Sequence, residues 1–304
     1  MIELQNLTRK FNGLTAVDDI TFDVQEGEIF GLLGPNGAGK TTTVRILCCL
    51  IRPSAGKAFV GGYDVGKDAL KIREIVGLLP ESPGLYGELS AYRNLEFYAK
   101  LYGVPKNKRG ENIERFLKML NLWTRRNDPV ETFSKGMQQK LAIVRSMVHE
   151  PQVLFLDEPT AALAPESAKV VRDFILELKQ ERRTIFLCTH NLDEADHLCD
   201  RVGVFKTRLL VVDTPGRLRA SVFGRKVIFH LRSAVEIVAE TVRKLPFGRE
   251  VKVVENKLVV SLDEPEIRNP DVVRTLVKSG ADVQFVGELR HTLEDVYLQL
   301  VKSA

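Results

Sequence analysis

The segment GPNGAGKT at residues 34–41 fits the pattern G-x-x-x-x-G-K-[ST]. An apolar stretch at residues 28–33 precedes it and predicts a buried strand, and a helix is predicted over 40–51, with Pro53 just beyond its end. Backbone N–H groups of such a loop, together with the start of a helix, bind phosphate oxygens. A glycine turn before a helix would explain neither Lys40 nor Thr41. We therefore predict phosphate binding at Gly34, Pro35, Asn36, Gly37, Ala38, Gly39, Lys40, Thr41 and Thr42.

Two carboxylates follow a second apolar run. Residues 153–156 read VLFL and precede Asp157 and Glu158, as expected where a buried strand ends beside a phosphate site. Asp157 would help hold Mg²⁺ and Glu158 would polarise an attacking water. Strands often end in acidic residues, so the pair predicts these roles only in combination with the phosphate loop.

A second helix start lies between these motifs. Ser134 and Gly136 belong to the segment FSKGMQQ at 133–139, which leads into a helical pattern reaching about residue 149. Ser134 is typical of a helix N-cap, which is also its purely structural interpretation. The same geometry offers N–H groups to a second phosphate, and Gly136 permits close approach of the backbone.

The composition is typical of a folded globular protein. At 304 residues, with 44% hydrophobic and 28% charged residues, we expect one large or two modest folded domains. The net charge of +4 reflects a near balance of signs, so no nucleic-acid partner is expected. The longest apolar run, residues 46–51, is far shorter than the roughly 20 residues of a spanning helix. The four cysteines are interpreted as reduced core residues.

The order of patterns predicts an α/β architecture. Strand-like runs alternate with helical ones between residues 153 and 205, which indicates a mainly parallel sheet, whereas residues 83–150 are mostly helical. A break follows Thr214-Pro215-Gly216. Beyond it we predict a small α/β domain of strand, helix, hairpin, helix and strand, with one further helix.

His190, in CTHN at 188–191, completes a set of motifs whose order resembles that of the ATP-binding subunit of an ABC transporter. The resemblance covers residues 1–221. It implies a P-loop NTPase fold, with a RecA-like core, an antiparallel β subdomain and a helical insertion at about 83–150. The small C-terminal α/β domain would occupy 222–304.

The resemblance also implies roles for these residues. Two ATP-binding subunits, in a homodimer or a heterodimer, would close head to tail around two ATP. Ser134 and Gly136 would contact the γ-phosphate held by the other chain, Glu158 would be the general base, and His190 would contact the γ-phosphate. The cofactors would be ATP and Mg²⁺, with the ion held by Thr41, Asp157 and Glu81.

Five positions depart from the usual family pattern. Phe11 stands where an adenine-stacking tyrosine is common, and a buried core phenylalanine is the alternative interpretation. Glu81 replaces a glutamine, and Lys135 and Met137 replace glycine and glutamine in the signature segment. Ala164 replaces an aspartate of the dimer-contact loop, from which we expect slower or less coupled hydrolysis.

The implied function is ATP-driven export through separate transmembrane permease subunits, with this chain on the cytoplasmic face of the cell membrane as a peripheral subunit. The wording of the signature segment, Glu81 and the C-terminal segment 293–298 resemble bacterial drug and ion exporters. Two alternatives remain open at this point. One is a soluble ABC ATPase acting on ribosomes or DNA, and the other is a nucleotide-binding regulator with weak hydrolysis.

Overall fold

The computed structural model describes residues 1–80, 84–161, 163–232, 235–247, 250–289 and 291–303. The strands are β1 (Ile2–Phe11), β2 (Leu14–Val24), β3 (Ile29–Leu33), β4 (Ala55–Val60), β5 (Tyr63–Asp64), β6 (Val76–Leu79), β7 (Val153–Asp157), β8 (Thr184–Thr189), β9 (Arg201–Lys206), β10 (Arg208–Asp213), β11 (Lys226–Leu231), β12 (Glu250–Val254), β13 (Lys257–Ser261) and β14 (Val283–Glu288). The helices are α1 (Lys40–Leu47), α2 (Ala69–Ile75), α3 (Ala91–Leu101), α4 (Lys106–Met119), α5 (Lys135–Met147), α6 (Pro165–Gln180), α7 (Leu192–Leu198), α8 (Pro215–Phe223), α9 (Val235–Arg243), α10 (Pro265–Lys278) and α11 (Leu293–Ser303).

The chain divides into two compact units, Met1–Thr214 and Pro215–Ala304. The prediction placed the boundary between 221 and 222, inside α8. The division comes before α8 because this helix packs against α11 of the same C-terminal unit. The break at Thr214-Pro215-Gly216 is therefore the better guide to where the second unit begins.

A six-stranded sheet in the order β10-β9-β3-β8-β7-β6 forms the centre of the first unit. All strand pairs except β10 with β9 are parallel, and every residue of β3, β7 and β8 is buried. Such unbroken burial is typical of a parallel sheet with both faces covered. Since β3, β8 and β7 are neighbours, the residues that follow their carboxyl ends meet at one edge. This edge carries the predicted site.

A second sheet, in the order β2-β1-β4-β5, is entirely antiparallel and supplies the expected β subdomain. Strands β1 and β2 are long and form one bulged hairpin. Among the described residues of the insertion at about 83–150, regular structure consists of α3, α4, α5 and two 3-10 turns. The predicted P-loop α/β fold is confirmed, with this helical insertion leading through α5 into β7.

Helix α1 is shorter than predicted. It ends at Leu47 rather than Ile51, because Cys48 leaves helical geometry and Cys49 has a φ of 56°, in the left-handed region. Among the described residues, no helix combines the length and the apolar character needed to span a bilayer.

The C-terminal unit contains a four-stranded antiparallel sheet in the order β12-β13-β11-β14, with the predicted alternation of strands and helices. Its core includes Phe229, Leu258 and Leu276. Helix α10 begins at Pro265, which occupies the first turn, where its missing N–H costs nothing.

Candidate functional site

A cleft of about 500 Å³ opens at the carboxyl edge of the central sheet. It is lined by three kinds of residue: the phosphate loop, the hairpin of β1 and β2, and the carboxylates after β7. These residues are Phe11, Leu14, Ala16, Pro35, Asn36, Gly37, Ala38, Gly39, Lys40, Thr41, Thr42, Asp157 and Glu158. The structure thus brings together most of the residues that the sequence singled out.

The phosphate loop has a backbone that only glycine tolerates at its last turn. Gly39 has a φ of 106°, and a Cβ there would lie 2.1 Å from the carbonyl oxygen of Ala16. Gly39 is also the residue before α1, so this helix starts without a side-chain cap. The first N–H groups of α1 therefore keep their capacity for an anion.

Lys40 is the first residue of α1 and is only 6% exposed. Its Nζ donates to the carbonyl oxygens of Gly34 at 2.6 Å and Pro35 at 3.2 Å. These bonds hold the ammonium group against the loop whose N–H groups would surround a phosphate. A buried cation at this place attracts an anion, in addition to the attraction from the N–H groups and the helix dipole.

Thr41 and Asp157 meet across the gap between the loop and β7. The Thr41 hydroxyl donates to Asp157 Oδ2 at 2.7 Å, and Asp157 is 4% exposed. Hydroxyl and carboxylate oxygens are the ligands that Mg²⁺ prefers, so this pair fits the ion. Glu81, the third predicted ligand, lies outside the described residues.

Glu158 and His190 form a second polar pair, beside the first. Glu158 Oε1 accepts from the backbone N–H of His190 at 3.0 Å and lies 2.8 Å from His190 Nδ1. Glu158 has a φ of 52°, and its own N–H donates to the carbonyl oxygen of Cys188 at 2.9 Å. The backbone thus turns at Glu158 while this residue is still hydrogen-bonded to β8. The turn places the Glu158 carboxylate in the cleft and beside His190.

Phe11 lies at the end of β1, is 39% exposed and lines the cleft. The Arg9 guanidinium lies 4.3 Å from the centroid of the Phe11 ring and donates through Nη1 to the carbonyl oxygen of Arg52. Arg9 therefore stacks on the ring, and the exposed part of the ring faces the cleft. This exposure separates Phe11 from the core phenylalanines.

Ser134 and Gly136 lie at the start of α5, away from this cleft. Ser134 is exposed, and its Oγ accepts from the Met137 N–H at 3.3 Å, so it is the N-cap that the sequence predicted. A Cβ at Gly136 would lie 3.3 Å from Leu163 Cδ2. None of the described residues that line the cleft comes from α5.

Sequence reasoning missed three residues that support the site. Gln139 Nε2 donates, at 3.4 Å each, to the carbonyl oxygens of Glu158 and Pro159, and so ties α5 to the turn after β7. Thr189 and Glu194 lie behind Glu158 and are both buried. The sequence signal that could have identified Glu194 is its position three residues after Asn191, which fits a capping box. The Glu194 side chain, however, is hydrogen-bonded to Thr189.

Comparison with known proteins identifies the family. The family model described as "ABC transporter" matches residues 17–161. The daunorubicin resistance ATP-binding protein DrrA3 of Streptomyces coeruleorubidus is 34% identical over 98% of this chain and 95% of its own. The linearmycin resistance ATP-binding protein LnrL of Bacillus subtilis is 31% identical over 86% of this chain and 85% of its own.

A solved structure described as the ATP-binding subunit of an ABC transporter is 29% identical, with a TM-score of 0.69, and covers 74% of this chain and 94% of its own. The match to DrrA3 covers 98% of the chain and therefore includes both compact units. In this chain the phosphate loop and the two carboxylates after β7 line one cleft. The chain belongs to the ATP-binding subunits of ABC transporters and is an ATPase.

Proposed function

We propose that this protein powers export through separate transmembrane permease subunits, closing head to tail with a second ATP-binding subunit around two ATP on the cytoplasmic face of the membrane. The names of two relatives support export, since they describe resistance to linearmycin and to daunorubicin. The second subunit is another copy of this chain or a related chain.

The observation that carries the proposal is the separation of two phosphate-binding elements within one chain. The start of α1 and Lys40 lie in the cleft, whereas the start of α5, with Ser134 and Gly136, contributes none of the described lining residues. Both helix starts suit a phosphate. A second subunit, arranged head to tail, would place its Ser134 over the γ-phosphate bound to this chain's Lys40.

The residues of the cleft then have distinct tasks. Phe11 stacks on the adenine, and Lys40 binds the β- and γ-phosphates. Thr41 and Asp157 hold Mg²⁺, which neutralises phosphate charge when it is bound. Glu158 accepts a proton from the attacking water, and His190 orients Glu158 and contacts the γ-phosphate.

Two defective variants test the head-to-tail arrangement. Lys40→Ala removes the ammonium from the phosphate loop, and Ser134→Asp keeps an N-cap residue on α5 while it adds a negative charge facing the phosphate. A mixed dimer has one site with both defects and one site with neither. We therefore expect the mixture to recover ATP hydrolysis that neither variant shows alone, measured as phosphate release with Mg²⁺-ATP.

The control is a chain that carries both substitutions, mixed with the Ser134→Asp variant. In that mixture every site contains Asp at position 134, so no activity should return. If the first mixture also stays inactive while the two variants form dimers with each other, the head-to-tail arrangement is wrong. Each variant's melting temperature checks that the fold is intact.

The permease partner is tested by purification of the tagged chain from detergent-solubilised native membranes. A multispan membrane protein at stoichiometric amount is the expected result. Ribosomal proteins or DNA in its place would favour the soluble ATPase alternative. That alternative gains no support from the relatives described above, which are named as ATP-binding proteins of resistance systems. Steady-state ATP hydrolysis by the purified complex separates the exporter from a regulator with weak hydrolysis.

A further inference from the structure

A chain of hydrogen bonds runs from Glu158 away from the cleft. Thr189 Oγ1 lies 3.3 Å from Glu158 Oε2 and 3.2 Å from Glu194 Oε2. The same hydroxyl oxygen accepts from the backbone N–H of Asn191 at 3.0 Å. Thr189 ends β8 and is fully buried, and Glu194, in α7, is 2% exposed.

The number of available protons limits how these hydrogen bonds can be formed. A threonine hydroxyl has one proton to donate and two lone pairs to accept with. The Asn191 N–H uses one lone pair, and two carboxyl groups approach the remaining proton and lone pair. Both contacts are hydrogen bonds only if one carboxyl group carries a proton and donates it to Thr189 Oγ1.

Glu194 is the carboxyl group whose surroundings favour the proton. Its Oε1 is buried and has no hydrogen-bond partner among the described residues, a position that costs an anion more than a neutral acid. Burial, together with the nearby charge of Glu158, raises the pKa of Glu194, although hydrogen bonding with Thr160 and Thr189 and the charge of Arg172 oppose that shift. Glu158, by contrast, accepts from the His190 N–H and lines the open cleft.

We propose that Glu194 is a positioning residue that acts as a neutral carboxylic acid, donating to Thr189 Oγ1 and thereby directing the Thr189 proton at Glu158 Oε2. Glu158 then has a donor on each oxygen, Thr189 on Oε2 and the His190 N–H on Oε1. Two donors on different oxygens fix the plane of the carboxylate. This inference rests on the proposed role of Glu158 as general base, and it concerns how that base is held.

Substitutions at Thr189 test the middle of the chain. Thr189→Val keeps the shape and removes the hydroxyl, so we expect kcat for ATP hydrolysis to fall roughly tenfold, the effect of one hydrogen bond to a charged group. Thr189→Ser keeps the hydroxyl and should stay near the wild-type rate. The affinity for ATP, measured by equilibrium binding to the full-length chain, should be unchanged in both variants, because Thr189 is not among the residues of the cleft.

Substitutions at Glu194 test the donor itself. Glu194→Gln offers an amide N–H to Thr189 and should keep the wild-type kcat, whereas Glu194→Ala should lose as much as Thr189→Val. The double variant Thr189→Val with Glu194→Ala should be no slower than Thr189→Val alone, because both changes break one chain. Melting temperatures identify any variant that fails to fold, and Glu194→Gln and Thr189→Val then decide the matter.

Three results would overturn the proposal. They are a Glu194→Gln variant as slow as Glu194→Ala, which would require a charge at this position; an unchanged kcat in Thr189→Val; and additive losses in the double variant. Glu158→Gln separates this failure from that of the proposed base. If Glu158→Gln hydrolyses ATP at the wild-type rate, Glu158 is not the base; if it is inactive while Thr189→Val is fully active, only the positioning role of Glu194 is wrong.

Discussion

Helices α1 and α5 both begin with a lysine and have no acidic residue in the first turn, yet their starts differ in capping and in the burial of that lysine. Helix α1 follows Gly39 and has no side-chain cap, and its Lys40 is buried against the phosphate loop. Helix α5 is capped by Ser134, and its Lys135 is exposed. Both starts attract anions, because neither opposes the helix dipole with a carboxylate.

The difference teaches how the two starts divide the work on one ligand. The start of α1 is built for an anion within its own chain, since a loop, a buried cation and a hydroxyl already surround it. At the start of α5, the Ser134 hydroxyl oxygen accepts from the N–H of Met137, and both Ser134 and Lys135 are exposed. In the proposed dimer, the first is one half of an ATP site, and the second would act on the ATP held by the partner chain.

Gly39→Ala should have the largest effect, which is on ATP binding at the start of α1. The added Cβ would clash with the carbonyl oxygen of Ala16 at 2.1 Å, and alanine would be strained at a φ of 106°. We expect ATP binding to be lost, measured by titration with ATP. Gly37→Ala is the matched control, because Gly37 has a φ of 79° but open space around its Cβ position. Equal ATP affinity in the wild type and Gly39→Ala would show that the shape of this loop does not determine binding at α1.

The comparison also marks what could be predicted from the sequence. The phosphate loop and the pair Asp157 and Glu158 were found because each is a local pattern at the end of an apolar strand. The chain through Thr189 and Glu194 could not be found in this way, since it depends on β7 and β8 being neighbours and on the direction of a buried carboxyl group.

Two boundaries, the end of helix α1 and the start of the C-terminal unit, were predicted at the wrong residues. Helix α1 ends early because of the backbone at Cys49, and the C-terminal unit begins at Pro215 because α8 packs against α11. The end of α1 leaves no periodic signal, since the apolar run at residues 46–51 continues through it. The start of the C-terminal unit, by contrast, coincides with the break at Thr214-Pro215-Gly216 that the sequence shows. The fold class needed only the order of strands and helices, which the apolar pattern does carry.

The opposite end of α5 should make the stability of the protein depend on pH. His149, just beyond the helix, stacks on Tyr102 with centroids 3.8 Å apart, and burial lowers its pKa from 6.5 to about 4. Between these values the unfolded chain binds a proton that the folded chain does not. The free energy of unfolding should therefore fall as the pH drops from 6.5 to 4, by on the order of 3 kcal/mol in total.

Urea denaturation at several pH values measures this effect. His149→Gln removes the titrating group, so the decline attributed to it should disappear from the difference between variant and wild type. The exposed His197, replaced in the same way, is the control. If His149→Gln and His197→Gln give the same pH profile, burial at the end of α5 does not hold His149 neutral, and the favourable field of the helix terminus outweighs it.

A third helix start, that of α6, gives the smallest effect and separates capping from charge. Ala164 has the extended backbone of an N-cap but no side-chain cap, and Leu163 before it lies against Gly136 of α5. Ala164→Asp and Ala164→Asn both supply an N-cap oxygen, so each should raise the free energy of unfolding by about 1 kcal/mol, measured by urea denaturation. Only Ala164→Asp adds a carboxylate to the segment that we expect to contact a second subunit, so only this variant should raise the turnover or cooperativity of ATP hydrolysis. An increase in both variants would mean that α6 needs only a firmer start, and an increase in neither would mean that the two ATP sites communicate without this position.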